Sequence, residues 1–218
     1  MARIIHIDKL KLIHMLFFPV TYGGLADGLL RLPLPELLTI KRKKLTIPQT
    51  VEEFADSIVY GQRLYFSREE PNDMAIIIRM IGGYYQPIIT KKPFDDQLVQ
   101  KFVKKVLNCK AKEAYPVAMH MIQLVTKLAE KEKQLLHREP TKIEIAAGIE
   151  KLAPFSELQS IDFLRDAMKI TTEEVLQTPY NECLVRFMNA KAVADFQERL
   201  IKLSNEAANA TKPKTAKT

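Results

Sequence analysis

The chain has 218 residues, 47% hydrophobic and 27% charged, with a formal net charge of +7. That is enough apolar material for one sizeable core, which excludes an intrinsically disordered chain. Seven glycines and no tryptophan fit poorly with the turn-rich, aromatic-rich barrels and sandwiches and favour an all-α fold.

In chain order, MARIIHIDKLKLIHMLFFPV comes first and is rich in apolar residues. Asp8, Lys9, Lys11 and His14 interrupt it, so neither a secretion signal nor a membrane span is expected. Residues 1–48 are the least regular part, broken by Pro19, Pro33, Pro35, Pro48 and the pair Gly23 and Gly24. Within them Leu38, Ile40, Leu45 and Ile47 alternate, which predicts a small β-hairpin between Leu37 and Ile47. The alternative is an extended arm lying along a neighbouring subunit.

From Thr50 the spacing becomes helical. TVEEFADSIVYGQRLYF starts with Thr50 and Glu53 in capping-box register and reads as one helix with Val51, Phe54, Ile58 and Tyr65 inward. NDMAIIIRMIGGYYQP predicts a helix capped at Asn72 or Asp73, ending at Gly82 and Gly83, with Pro87 blocking continuation. KPFDDQLVQKFVKKVLNCKAK is a basic amphipathic helix, with Phe94, Val99, Phe102 and Val106 on one side and Lys101, Lys104 and Lys105 on the other. AYPVAMHMIQLVTKLAEKEKQLLHRE supplies a long helix. In REPTKIEIAAGIEKL, Thr141 and Glu144 repeat the capping box; in APFSELQSIDFLRDAM, Ser156 is a candidate cap with Leu158, Ile161, Phe163 and Leu164 for burial.

TTEEVLQTPYNECL places two helix starts close together. Thr171 with Glu174 is one, and Thr178 before Pro179 is the other, so the chain turns a corner there. Beyond it no proline or glycine interrupts a long C-terminal helix, whose apolar side comprises Leu184, Phe187, Met188, Val193, Phe196, Leu200 and Leu203. The organisation expected is an irregular arm at 1–48, a multi-helix bundle at 49–209 and a basic disordered tail at 210–218.

Charge is segregated. Lys41 to Lys44, Lys91 to Lys112 and the tail lysines Lys212, Lys214 and Lys217 carry +4, +5 and +3, leaving the remainder at −5. Lys41, Arg42, Lys43, Lys44, Lys101, Lys104 and Lys105 are therefore candidates to face nucleic acid or another acidic partner, the alternative being solvated helix faces.

Catalytic, metal and cofactor residues are not expected. His6, His14, His120 and His137 are scattered, and no phosphate-binding loop, dinucleotide fingerprint or nucleophile elbow occurs. Of the paired acids, Glu52/Glu53, Asp95/Asp96 and Glu173/Glu174 fall in first helical turns and Glu69/Glu70 does not; a helix dipole explains the three. Cys109 and Cys183 lie in separate helical patterns, which points to buried free thiols in a reducing compartment. HREPTKIEIAAGIEKLAPFSELQSIDFLRDAM resembles the helix-turn-helix of sigma-factor-like proteins in REPTKIEIA. Gly148 is misplaced for that turn, however, and Glu157, Asp162 and Asp166 oppose Arg165 alone on the would-be recognition helix.

LTIPQTVEEFADSIVYGQRLYF and AAGIEKLAPFSELQSIDFLRDAMKITTEEVLQTPYNECLVRFMNAKAVADFQERL resemble structural proteins of tailed bacteriophages, crAss-like phages of gut Bacteroides in particular. The resemblance spans roughly residues 45–205 and rests on overall texture, so no functional residues carry over. It implies a non-enzymatic virion subunit, made in the host cytoplasm and assembled as a homo-oligomeric ring of the head–tail connector or tail. Its neighbours would be portal or tail components, with non-specific contact to packaged DNA. A tail-assembly chaperone and a nucleic-acid-binding helical regulator are the alternatives. On the ring reading Tyr180, Phe187 and Phe196 are the anchors expected to brace a neighbouring subunit.

Overall fold

A computed structural model describes residues 10–17, 28, 29, 31–68 and 73–210. The fold is all-α apart from one hairpin. Strands β1 (Leu37–Ile40) and β2 (Lys43–Thr46) pair antiparallel, Leu37 opposite Thr46 and Ile40 opposite Lys43. Their alternation buries Leu38, Ile40 and Leu45, with Ile47 following, so the segment is a strand pair rather than an extended arm. Lys41 and Arg42 form the two-residue turn with φ of 48° and 64°, the left-handed pair that matches the twist of the strands. Two non-glycine residues accept that conformation at a cost of about 1 kcal/mol each.

The hairpin is fastened to the helices. The Thr39 amide donates to Glu113 Oε2 at 3.2 Å and the Tyr85 hydroxyl to the Thr46 carbonyl at 2.9 Å. Helix α1 (Leu12–Phe17) follows a short backbone clasp, in which the Leu12 amide donates to the Cys109 carbonyl at 3.1 Å and the Ala111 amide to the Leu10 carbonyl at 2.8 Å.

The stretch after Thr50 is two helices rather than one: α2 (Val51–Ser57) and α3 (Tyr60–Ser67). No proline or glycine marks the break at Ile58 and Val59; its cause lies far along the chain. Val59 bridges antiparallel to Pro179, the Tyr60 amide donating to the Thr178 carbonyl at 2.9 Å and the Tyr180 amide to the Ile58 carbonyl at 3.1 Å. Each corner thus satisfies an amide left without an intrahelical partner at the start of the other's helix.

Helix α4 (Asp73–Thr90) corrects a second expectation, because it continues through Gly82, Gly83 and Pro87. Pro87 has no amide to give the Gly83 carbonyl four residues earlier. The buried Gln62 side chain supplies the missing donor, Nε2 to the Gly83 carbonyl at 2.7 Å, while its Oε1 accepts the Val59 amide at 3.0 Å. Gly83 serves packing rather than termination. A Cβ there would stand 2.9 Å from Phe66 Cε1 and from Tyr65 Cδ1, so glycine lets α3 and α4 approach. The proposed cap at Asn72 lies outside the described residues.

α4 packs most extensively against α5 (Asp96–Leu107) and α6 (Ala111–Leu136). Asp95 caps α5, accepting the Gln97 and Leu98 amides at 2.6 and 3.2 Å, and Val99, Phe102 and Val106 are buried beneath its lysines. Burying some thirty apolar side chains at about 1.5–3 kcal/mol each is what holds this centre together.

The chain then runs over the surface through α7 (Lys142–Ala146) and a 3₁₀ run at Ile149–Phe155, and regains the core through α8 (Ser156–Met168), α9 (Thr172–Gln177) and the base of α10 (Tyr180–Ala210), where Leu164, Val175, Tyr180 and Cys183 are buried. Both capping boxes in this region form. Glu144 accepts the Thr141 amide at 2.7 Å and gives its own amide to the Thr141 hydroxyl at 3.2 Å; Glu174 and Thr171 do the same at 2.8 and 3.3 Å. At Thr50 the box is shifted by one, since Glu53 takes the Gln49 amide at 2.7 Å. Ser156 caps nothing, because α8 emerges directly from the 3₁₀ run. Gly148, at φ 81°, ends α7 after a single turn, so this segment is not a pair of helices around a turn.

Candidate interaction surfaces

The base of α10 belongs to the core. Tyr180, expected as an anchor for a neighbouring subunit, is 2% exposed and is unavailable to one. Its hydroxyl donates to Glu132 Oε1 at 2.9 Å, and Arg63 grips the same carboxylate, Nε to Oε1 at 2.9 Å with Nη2 on Oε2. The cluster ties α3, α6 and α10 together beside a cleft of about 350 Å³ that also includes Tyr60 and Ser160. Burial raises the Tyr180 hydroxyl far above its ordinary value and pushes Tyr60 up to about 12, so both remain hydrogen-bond donors at neutral pH. With its oxygens engaged by arginine and tyrosine, Glu132 works here as a clamp.

Phe187 is half-buried, its ring 6.1 Å from Tyr60 and 5.5 Å from Phe163, closing α10 onto α3 and α8. Phe196 is 65% exposed. The three expected anchors therefore occupy three environments, of which only the last is an open surface.

The reason lies in the phase of the helix. At about 100° per residue, Tyr180, Cys183, Leu184, Phe187 and Lys191 share the side of α10 that meets the rest of the chain. Glu198 continues that line and pairs with Arg138 at 3.6 Å. Val193, Phe196, Leu200 and Leu203 fall on the opposite side, exposed by 48%, 65%, 54% and 63%. The single apolar side expected for α10 is thus two: an inner one at its base and an outer seam along its second half.

A second apolar surface was not singled out from sequence. α7 and the 3₁₀ run bury no residue, and Ile143, Ile145, Ile149, Leu152, Phe155 and Leu158 stand out by between 38% and 81%. Arg138 also pairs with Glu144 at 3.1 Å, which holds this platform on the Glu198 side of α10, away from the seam. The available signal was irregularity: Gly148 and Pro154 break any helical stripe that could bury these residues internally.

The basic residues form two separate groups. Lys41, Arg42, Lys43 and Lys44 are all exposed at the hairpin turn, where the Lys43 ammonium donates to the Ile89 carbonyl at 3.4 Å. Lys101 and Lys104 are exposed on α5, whereas Lys105 is half-buried with its ammonium 4.8 Å from the Phe102 ring centre. No hydrogen bond or ion pair among the described residues joins the two groups. Lys212, Lys214 and Lys217 lie outside the described residues, as do Glu69 and Glu70.

Two histidines and both cysteines are occupied structurally, whereas His137 is exposed and His6 lies outside the described residues. The His120 ring nitrogen lies 2.8 Å from the Pro48 carbonyl, and His14 Nδ1 accepts the Lys11 amide at 3.2 Å. Both cysteines are buried and free; burial pushes Cys109 up to about 12 and Cys183 to about 11, so neither is a thiolate at neutral pH. Among the described residues no three His, Cys, Asp or Glu side chains converge to hold a metal, and no helix is long and apolar enough to cross a membrane. No family model, curated protein or solved structure matches the chain.

Proposed function

We propose that the chain is a non-enzymatic structural subunit of a tailed-bacteriophage virion, working as a homo-oligomeric ring of the head–tail connector or tail. The observation that carries this reading is the outer seam of α10, where Val193, Phe196, Leu200 and Leu203 stand in solvent along an uninterrupted helix. One copy leaves that seam open, and exposed contiguous apolar surface on a folded chain marks a place of association. The sequence resemblance to structural proteins of crAss-like phages supplies the setting, with portal or tail components as neighbours. Buried thiols and a carboxylate wholly engaged by Arg63 and Tyr180 support a role without catalysis.

Quantitative mass spectrometry of purified particles tests the reading, with many copies per particle expected. Absence from particles, together with recovery on a tail component during infection, would instead make the chain a tail-assembly chaperone. A second reading, nucleic-acid binding, is favoured by the exposed Lys41 to Lys44 turn, which in a connector would lie against packaged DNA. Titration with duplex DNA at several salt concentrations separates the two. Phosphate contacts give affinity that falls steeply with salt, and a flat dependence removes them.

A further inference from the structure

We infer that successive copies join head to tail, the outer α10 seam of one seating on the α7–3₁₀–α8 platform of the next. The inference rests on the structural-subunit reading and gives it an interface.

Three observations lead to it. The seam residues Val193, Phe196, Leu200 and Leu203 are spaced three, four and three apart, the repeat of a helix face that packs into a complementary apolar surface. The platform is that kind of surface, and the pairs Arg138–Glu144 and Arg138–Glu198 hold it on the far side of α10 from the seam. Two sticky surfaces facing opposite ways on one subunit define a heterologous contact, which joins copies head to tail and makes a ring where the rotation per subunit closes.

Area points the same way. The ten residues are exposed by between 38% and 81%, so seam and platform together offer on the order of 1,000 Å² of apolar surface, taking roughly 150–200 Å² per large side chain. Split between the two faces, that is roughly 400 Å² on the seam and 600 Å² on the platform, and seating one on the other approaches the roughly 1,000–1,200 Å² at which specific interfaces begin. Charge adds orientation. Arg199 flanks the seam, and residues 142–158 of the platform carry Glu144, Glu150 and Glu157 against Lys142 and Lys151, a net −1. Pairing two seams antiparallel, with Val193 opposite Leu203 and Phe196 opposite Leu200, would instead bring two Arg199 side chains together.

Mixing two variants of the full chain tests this. F196E/L200E breaks the seam and I145E/F155E breaks the platform; all four positions are at least 54% exposed, so both variants should keep wild-type circular dichroism. Under native mass spectrometry, wild type should exceed a dimer, and each variant alone should self-associate on the order of 100-fold more weakly. An equimolar mixture should form a heterodimer and stop, because one intact seam then meets one intact platform and the other two faces are broken. L203K, at 63% exposure, serves as an independent seam variant if the double change perturbs folding. A mixture that remains monomeric overturns the proposal. So does wild type that is monomeric, or that halts at a dimer dissolved by the seam change alone. If complementation succeeds but the chain is missing from purified particles, the virion reading fails and the interface stands.

Discussion

Helix α4 contains two adjacent glycines and a proline, yet it is continuous over 18 residues and buried against three other helices. Helix α10 contains neither over 31 residues and leaves its outer half in solvent. α4 is poor helix-forming sequence held by its neighbours. Gln62 replaces the hydrogen bond that Pro87 removes, and the missing Cβ of Gly83 makes room for Phe66 and Tyr65. α10 is good helix-forming sequence whose second half stays helical with most of its side chains in solvent. Damage to α4 should therefore come from substitutions outside it, and damage to the outer half of α10 only from within.

The largest effect expected is at Gln62. Replacing it with leucine takes the side-chain donor from the buried Gly83 carbonyl and the acceptor from the half-buried Val59 amide, at a cost of about 2–3 kcal/mol in urea unfolding. Pro87→Ala restores the helix's own amide opposite Gly83, so in that background Gln62→Leu should cost about 1 kcal/mol less. Additive effects in this double-mutant cycle would show that Gln62 is not what carries α4 across its proline.

The contrasting change is Gln197→Pro in the exposed half of α10. Proline inside a helix costs about 3 kcal/mol locally and displaces the carbonyl four residues back. Because the seam side chains stand largely in solvent and the Arg138–Glu198 pair is exposed, the helix should lose amide protection beyond Val193 in hydrogen exchange while the urea midpoint of the core moves by no more than about 0.5 kcal/mol equivalent. A larger shift would mean that the outer half of α10 braces its own bundle.

The same contrast explains what the sequence made legible. Alternation of Leu38, Ile40, Leu45 and Ile47 and the Thr–Glu pairs at 141/144 and 171/174 are local signals, and each formed the element it announced. The α2–α3 break, the passage of α4 through Pro87 and the burial of Tyr180 each depend on a partner distant in sequence: Thr178, Gln62 and Glu132 respectively. No local pattern records such partners. The seam was within reach, since Phe187 and Phe196 are nine residues apart and so about 180° around the helix, which puts them on opposite sides. The platform was not, because exposure of Ile143 or Leu152 is decided by what fails to pack over it.

The smallest effect expected is acid-dependent and falls on the two capping boxes. The Thr141 backbone amide, then its hydroxyl, holds the Glu144 carboxyl below its ordinary value of 4.5, and Thr171 does the same for Glu174. A depressed native value means that the unfolded chain takes up the proton first as pH falls. The contribution of each box is therefore complete above about pH 4.5 and is lost as pH drops through the native value. Glu174 is exposed and Glu144 lies at the surface beside the exposed Arg138, so the loss should be local fraying of α7 and α9 rather than collapse of the centre. α4 is held by burial and by an uncharged glutamine, and should be indifferent over the same range. Amide protection factors between pH 5.5 and 3 check this, those of Glu144 and Glu174 falling while those of Ile81 and Tyr85 hold. Parallel loss in all four would mean that the periphery and the centre open as one unit. The platform formed by α7 and the 3₁₀ run could not then loosen independently of the core that carries it.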